Sequence, residues 1–251
     1  QVLAANVDRV WIVHGLDMPV NSRRLERYLA VVWDSGATPE VILTKGDLAE
    51  DMDAMISQAG LAAVGAMVRC VSSRTPESVQ DLRDSLTSGC TVSLLGPSGV
   101  GKSTLVNLLA GETIAATGEV RVGDRKGRHT TVRRELFRIP GGALLLDTPG
   151  MRELRVGVLD EGLKEAFADI EEFAVSCRFR DCRHEGEPGC AVQEALEAGT
   201  LDPERLGSFQ KLRAEAAYEM RRTDPRARAA AVSEWKTAVK TLKHHPKYKD
   251  R

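Results

Sequence analysis

A glycine-rich loop constrains the fold of this chain more than any other feature of its sequence. The stretch GPSGVGKST (96–104) follows the apolar run TVSLL and precedes the helix-like STLVNLLAG, and it contains a match to G-x-x-x-x-G-K-[ST]. Backbone N–H groups of such a loop converge at a helix N-terminus, where they bind phosphate groups. The loop therefore predicts an α/β domain with a nucleotide site at the end of a strand.

The residues of this loop are predicted to hold the phosphates of a nucleotide. Lys102 is expected to reach the outer phosphates, and the Ser103 hydroxyl is expected to bind Mg²⁺. The predicted contacts are Gly96, Pro97, Ser98, Gly99, Val100, Gly101, Lys102, Ser103 and Thr104.

The apolar pattern around the loop predicts a mostly parallel sheet with helices on both faces. Short apolar runs predict strands at 10–13, 41–43, 66–71, 91–95, 136–139 and 143–146. The segment SRRLERYLAVVW (22–33) has helical spacing and should bury one face, formed by Leu25, Tyr28, Leu29 and Val32. A further helix is expected with Thr75 as its N-cap and Pro76 in its first turn.

The sequence DTPG (147–150) follows the apolar run ALLL, which places Asp147 at the carboxyl end of a buried strand. Ligands of parallel sheets bind at that edge. We therefore expect Asp147 to complete the magnesium site, through water, and the Gly150 N–H to face the outermost phosphate.

Between these two motifs lies GRHTT (127–131), within a basic stretch. A threonine hydroxyl here could complete the magnesium shell only when the outermost phosphate is present, so the loop would respond to the nucleotide state. The sequence does not choose between Thr130 and Thr131. The alternative interpretation is a basic surface loop.

The stretch TKGD (44–47) is interpreted as the reader of the base. A carboxylate at Asp47 can accept from N1–H and the 2-amino group of guanine, which adenine cannot offer, and the Lys45 stem can lie along the ring. In CVSSR, Ser72 and Ser73 with their backbone amides could contact O6 of the base. Four-residue strings are common by chance, and the two phosphate motifs are what favour this interpretation.

The base reader precedes the phosphate loop, whereas the usual order in a GTP-binding domain is the reverse. A circular permutation explains this order, because the termini of a compact domain lie near each other and can be exchanged without loss of the site. The chain then leaves the domain soon after DTPG, which would connect the phosphate-sensing segment directly to the C-terminal part of the chain.

A cluster of cysteines lies in that C-terminal part, from residue 177 onward. The chain has five cysteines, and an odd total without a signal peptide argues for a metal rather than a disulfide framework. Cys177, Cys182, His184 and Cys190 offer three thiolates and one imidazole, a set that suits a structural, tetrahedral Zn²⁺. Unligated reduced cysteines are the alternative. Cys70 and Cys90 are expected in the core.

The charge is nearly balanced at −1, with local basic islands. Residues 209–251 hold twelve Lys or Arg against five acids, and 118–140 hold seven against three. Such islands suggest contact with phosphates, although a solvated helix face would also explain the tail. No apolar run is long enough to span a bilayer and no signal sequence is seen, so we expect a soluble, cytoplasmic protein. The chain opens on Gln1, so we expect an upstream segment.

Together these motifs resemble the circularly permuted, small-subunit-dependent GTPases of bacteria, the RsgA/YjeQ family. The resemblance rests on TKGD, VSS, GPSGVGKS, GRHTT, DTPG and the Cys3His cluster in that order, and covers nearly the whole chain. It implies a GTPase stimulated by the small ribosomal subunit and its rRNA, acting late in maturation of that subunit. We expect the chain to be a monomer. It also strengthens the zinc assignment. The metal-bearing module, through its arginines and the basic tail, would face ribosomal RNA.

The sequence departs from the family pattern in two places. The family usually has an N-terminal OB-fold, of which these residues contain nothing, so part of the ribosomal contact is expected to be missing from this chain. Thr44 replaces the usual Asn, which should remove an amide that ties neighbouring loops together and loosen guanine binding.

The family shares one difference from Ras-like proteins, since Met151 stands where a water-orienting Gln would be. Hydrolysis should then be slow without the ribosome. His129 is the candidate that orients water, with RNA binding or loop shaping as its alternative roles.

These observations lead to a two-domain organisation and a ranked set of functions. We expect a permuted GTPase domain at 1–171 and a zinc-binding helical domain with a basic tail at 172–251. The leading hypothesis is a ribosome-coupled GTPase with one Zn²⁺ and with Mg²⁺ bound beside GTP. The runner-up is a nucleotide-gated RNA-binding or ribosome-binding module in which hydrolysis is incidental. An ATP-dependent kinase is disfavoured by TKGD.

Overall fold

A six-stranded sheet forms the centre of the computed structural model, which describes residues 4–115, 135–147, 159 and 161–243. The strands are β1 (Arg9–Gly15), β2 (Thr38–Thr44), β3 (Met67–Val71), β4 (Thr91–Leu95), β5 (Glu135–Arg138) and β6 (Leu144–Asp147). Their order is β3-β2-β1-β4-β6-β5, and all neighbours are parallel except β5 with β6. The predicted strands and the mostly parallel sheet are confirmed.

Helices connect and cover these strands. They are α1 (Ser22–Asp34), α2 (Met52–Ala62), α3 (Pro76–Asp84), α4 (Lys102–Ala110), α5 (Glu161–Ala166), α6 (Ala168–Ala174), α7 (Ala191–Glu197), α8 (Pro203–Thr223) and α9 (Pro225–Lys243). A short 3-10 turn, Gly46–Leu48, lies directly after β2. Helices α8 and α9 make up most of the last part of the chain that the structure describes.

Successive side chains of the central strands point to opposite faces of the sheet, and they divide the apolar interior into two layers. Trp11 and Val13 of β1 point to one face, where they pack with apolar residues of α3 and α4. Ile12 points to the other face, into a layer shared by α1, α2 and α5 to α8. Because successive strand residues face opposite sides, both layers grow from the same buried strand.

Helix α1 illustrates how local sequence sets the second layer. Asn21 caps it by accepting the Arg24 N–H at 2.9 Å. Its predicted apolar face is buried at every position: Leu25, Tyr28, Leu29 and Val32. Helix α3 departs from the prediction in one detail, because Thr75 occupies the N-cap position without making a side-chain capping bond.

A buried ionic junction joins α1 to the last part of the chain. Arg205 donates to Glu26 at 3.0 Å and to both oxygens of Asp169 at 2.7 Å. Glu26 also accepts from Ser208, and the Arg205 guanidinium lies 4.6 Å from the centre of the Phe167 ring. Glu26 and Arg205 are only 2% and 8% exposed, so these charges are almost entirely withdrawn from water. The junction fixes α8 against α1.

The predicted domain boundary at residue 171 lies inside α6. The apolar layer beneath α1 runs continuously from Leu29 through Phe167 to Leu206 and Phe209. The division into residues 1–171 and 172–251 therefore stays a proposal. Among the residues that the structure describes, no helix is long and apolar enough to cross a membrane.

Candidate nucleotide site and metal centre

The predicted phosphate loop lies at the carboxyl edge of the sheet, between β4 and α4. Gly96 passes so close to β1 that a Cβ there would clash with the carbonyl oxygen of Val13. Gly101, at φ 97°, is the residue before α4 and takes the left-handed conformation that glycine tolerates. These two glycines aim the loop at the N-terminus of α4, as phosphate binding requires.

Lys102 is folded back onto this loop. Its Nζ donates to the carbonyls of Gly96 at 2.8 Å and Pro97 at 2.7 Å, and the side chain is buried. Burial lowers the pKa of Lys102, and the Asp147 carboxylate opposes that shift. The ammonium group is thereby held within the loop that is predicted to receive phosphate.

Asp147 ends β6 at the same edge, as the sequence predicted. Burial raises the pKa of Asp147, Lys102 lowers it and Glu135 adds to the increase. Among the described residues, its buried Oδ1 has no hydrogen-bond partner. An orphaned carboxylate oxygen at the edge that carries Ser103 fits a site for a hydrated Mg²⁺, which prefers oxygen ligands.

The base-reading loop is tied to the phosphate loop through Thr44. The Thr44 hydroxyl donates to the carbonyl of Val100 at 2.5 Å and also contacts that of His14 at 3.3 Å. Our expectation that Thr44 leaves the neighbouring loops untied is wrong, because its hydroxyl joins the base-reading loop to the phosphate loop, while the expected loosening of guanine binding stays a prediction. Thr44 is buried, so the bond is shielded from water.

Lys45 and Asp47 both engage partners within the chain. Lys45 adopts a left-handed conformation at φ 58°, and its Nζ lies 2.6 Å from Asp17. Asp47 accepts from the Ser72 hydroxyl at 3.4 Å, and its other oxygen lies 3.2 Å from Nε of Arg74. The predicted base reader and the predicted serine loop are therefore in contact.

Only one of the two predicted serine amides remains available. The Ser72 N–H donates to the Ser78 hydroxyl at 3.2 Å, so our expectation that this amide contacts the base is not met in this arrangement. In the described part of the chain, the Ser73 N–H has no such partner. Ser73 is thus the better candidate for contact with O6.

Several predicted residues lie outside the described part of the chain: His129, Thr130, Thr131, Gly150 and Met151. Their predicted roles stay predictions. Sequence reasoning missed three residues that the structure places at the site: Asp17, Arg74 and Ser78. A usable signal existed for Asp17 and Arg74, because both come soon after strands that end at the ligand-binding edge.

The Cys3His cluster forms as the sequence predicted. The ligand atoms of Cys177, Cys182, His184 and Cys190 all lie within 4.8 Å of one another. His184 turns its Nδ1 toward Cys190 Sγ at 3.4 Å and Cys177 Sγ at 3.7 Å. Three thiolates and one imidazole converging on one point are a donor set that fits a tetrahedral structural metal.

Neighbouring groups hold this cluster in shape. The backbone carbonyl of His184 accepts from the side chains of Gln193 at 2.6 Å and Gln210 at 3.1 Å. Glu187 accepts the N–H groups of Arg183 and Glu185, which lowers the pKa of Glu187 to about 2. Desolvation, and secondarily the adjacent thiols, raise the pKa of Cys182 to about 12. A cation would remove the penalty for deprotonating these crowded thiols, so the residues fit a metal.

A permuted strand order, a phosphate loop after β4 and a base-reading loop after β2 define the class of circularly permuted GTP-binding proteins. The family model described as RsgA GTPase matches residues 1–157. A relative from Listeria innocua, named small ribosomal subunit biogenesis GTPase RsgA 1, is 44% identical over 98% of this chain and 71% of its own length. One from Xanthomonas campestris is 50% identical over 86% of this chain and 60% of its own length.

Solved structures agree with these relatives. YjeQ from Thermotoga maritima aligns with a TM-score of 0.59 at 26% identity, covering 84% of this chain and 72% of its own. YloQ, described as a circularly permuted GTPase, aligns with the same TM-score at 28% identity over 84% of this chain and 68% of its own. The chain belongs to the RsgA GTPase family, which confirms the resemblance and the predicted permutation.

Proposed function

We propose that this chain hydrolyses GTP to GDP and phosphate, is stimulated by the small ribosomal subunit, and acts late in maturation of that subunit. The observation that carries the proposal is the bond from Thr44 to Val100, which joins a guanine-type base reader to a phosphate loop at one edge of the sheet. Relatives that carry the name small ribosomal subunit biogenesis GTPase supply the biological setting.

In this proposal guanine lies between the loops that come after β2 and β3. Asp47 accepts from N1–H and the 2-amino group, the Ser73 N–H donates to O6, and the Lys45 stem covers the ring. The salt bridge from Lys45 to Asp17 supports that last role, since it engages the lysine tip and not the stem. The pattern favours guanine, because adenine presents the opposite donors and acceptors.

The phosphates lie in the loop 96–104 with Lys102 beside the outer ones. Bound Mg²⁺ would neutralise charge on the phosphates, and Ser103, Asp147 and either Thr130 or Thr131 would hold it. The orphaned oxygen of Asp147 supports this assignment. The Gly150 N–H is proposed to donate to the outermost phosphate and His129 to orient the attacking water.

The Cys3His cluster is proposed to hold one structural Zn²⁺. Four protein ligands leave no open position for a substrate, so its role is to shape the segment that carries it. Arginines beside the cluster, with the basic helix α9, would present positive charge to ribosomal RNA. We further propose a cytoplasmic monomer, since the small subunit matures in the bacterial cytoplasm.

The experiment is GTP turnover with and without purified small ribosomal subunits, with ATP as the control nucleotide. It should include a version extended upstream and a Lys102→Ala variant of each chain. We expect strong acceleration of GTP hydrolysis, no acceleration with ATP, and loss of turnover with Lys102→Ala. If both chains bind GTP and neither is accelerated, the proposal is overturned in favour of a nucleotide-gated binding module.

A further inference from the structure

Arg74 forms a salt bridge with the Asp47 carboxylate, the group that is proposed to bind guanine. Its Nε lies 3.2 Å from Oδ2 of Asp47, while the Ser72 hydroxyl donates to Oδ1 at 3.4 Å. We propose that Arg74 competes with the guanine edge for Asp47, and that this competition limits the affinity and the rate with which the chain captures guanine nucleotides. The inference rests on the proposed role of Asp47 as base reader.

The other internal contacts at the site do not compete in this way. Lys102 binds two neutral carbonyls within its own loop, and phosphate can add to these contacts. Lys45 uses only its tip for Asp17, whereas the base would lie on its stem. The contact between Arg74 and Asp47 differs from these two, because the guanidinium binds a carboxylate oxygen that would otherwise accept a hydrogen bond from guanine.

The geometry lets Arg74 return to Asp47 each time the site empties. The Arg74 N–H donates to the Ser72 hydroxyl at 3.1 Å, which anchors its backbone in the loop that carries Ser73. Its side chain is 73% exposed, while that of Asp47 is 22% exposed. An exposed guanidinium whose backbone is hydrogen-bonded within the same loop is well placed to exchange with a ligand at a partly buried carboxylate.

Whether Arg74→Ala raises or lowers nucleotide affinity distinguishes competition for Asp47 from a general attraction between Arg74 and the phosphates. Nucleoside diphosphates are anions, so removal of a nearby positive charge should weaken binding if charge alone acted. Competition predicts the reverse, because Arg74→Ala frees the carboxylate. Ion pairs as exposed as this one are worth little, so we expect affinity to rise about two- to fivefold.

The test is binding of a fluorescent GDP by stopped flow and by equilibrium titration, at low and at high salt. Arg74→Ala should bind more tightly through faster association, and its advantage should shrink at high salt because salt screens the competing pair. Arg23→Ala is the matched control, since it removes one exposed positive charge from α1 and should not increase affinity. Weaker or unchanged binding by Arg74→Ala at low salt would overturn the inference.

A second comparison isolates Asp47 as the residue through which Arg74 acts. In an Asp47→Asn background the side chain at position 47 is neutral and no longer attracts Arg74. The ligand for this background is xanthosine diphosphate, whose base suits the hydrogen bonding of asparagine. Adding Arg74→Ala should then no longer increase the affinity for this nucleotide. A persistent increase would show that Arg74 acts elsewhere and would refute competition. Failure of the unsubstituted chain to bind GDP would instead refute the proposed function itself, and the two failures are therefore distinguishable.

Discussion

At the carboxylate of Asp47, replacement of one oxygen by an amide nitrogen reverses the hydrogen bonding offered to a base. An Asp47→Asn variant donates where guanine also donates, so GTP affinity should fall by about two orders of magnitude. Xanthosine triphosphate should bind better than to the unsubstituted chain, because its 2-oxo group accepts from the new amide. Competition titrations with both nucleotides measure this change in preference from GTP to xanthosine triphosphate.

The gain for xanthosine triphosphate is the informative half of this experiment, because a misfolded variant would lose both ligands. An equal loss for the two nucleotides would place base recognition elsewhere. Circular dichroism of the variant checks that the sheet is intact.

Thr44 shows at the same scale why residue identity alone misled the sequence interpretation. The sequence shows an amide exchanged for a hydroxyl, and hence a lost donor. The structure shows that the hydroxyl still donates across 56 residues of sequence to Val100. Whether a shorter side chain reaches its partner depends on the spacing of two loops, which the local sequence does not contain.

Among the secondary-structure elements, the strands were predictable because parallel strands buried on both faces give continuous apolar runs. Their ends were less predictable: β1 extends to Gly15 beyond the apolar run, since pairing with β2 continues to Thr44. The phosphate loop and the Cys3His cluster were predictable because their donors are close in sequence. Asp17 and Arg74 follow strands that end at the ligand-binding edge, so the sequence could indicate their place, but their partners Lys45 and Asp47 lie on another loop that only strand pairing brings near.

Helices α5 and α1 pack at a distance that only glycine allows. A Cβ on Gly162 would clash with the carbonyl oxygen of Ala30 and would lie 2.5 Å from the Asp34 nitrogen. Gly162→Ala should therefore destabilise the fold by about 1–3 kcal/mol, as overpacking of cores does. Urea unfolding followed by circular dichroism measures the loss.

Gly60→Ala provides the matched control, because a Cβ at that position in α2 meets nothing within 4 Å. It should be neutral or stabilise by up to about 1 kcal/mol through helix propensity. Equal effects of the two substitutions would contradict the close packing of α5 on α1.

For the molecule as a whole, the ionic junction between α1 and α8 is more sensitive to the loss of one partner than to the replacement of both. Arg205→Met leaves Glu26 buried without its cation and should cost about 3–5 kcal/mol. The double variant Glu26→Gln with Arg205→Met should recover part of that loss, because it no longer buries a lone charge. Denaturant unfolding of four proteins, namely the unsubstituted chain, the two single variants and the double variant, tests this, and a strictly additive double variant would contradict it.

Removal of a metal from the Cys3His cluster should lower the stability of the fold beyond the cluster itself. Cys190 belongs to the same apolar layer as Ile12 and Leu29, so a metal bound at the cluster would support a core that extends to the sheet. A chelator should lower the unfolding temperature by about 10 °C, measured by calorimetry.

Cys182→Ser should lose the bound metal, which elemental analysis detects. Cys90→Ala removes a buried thiol from the opposite layer and should keep the metal. If Cys182→Ser retained an equimolar metal, the assignment of this cluster as the metal site would be wrong.

Contacts of α1 with residues far away in the sequence have a consequence during protein synthesis. Glu26 and Arg27 meet their partners 179 and 188 residues later, in α8. While the ribosome extends the chain, β1, β2 and β4 can pair and α5 can pack on α1, yet Glu26 and Arg27 lack their partners until α8 has been made. Chains that terminate before α8 would leave these charged groups unpaired and would lack the apolar residues that α8 adds to the shared layer, which favours aggregation or proteolysis. Only a polypeptide that includes α8 can supply the partners of Glu26 and Arg27 in its own first helix.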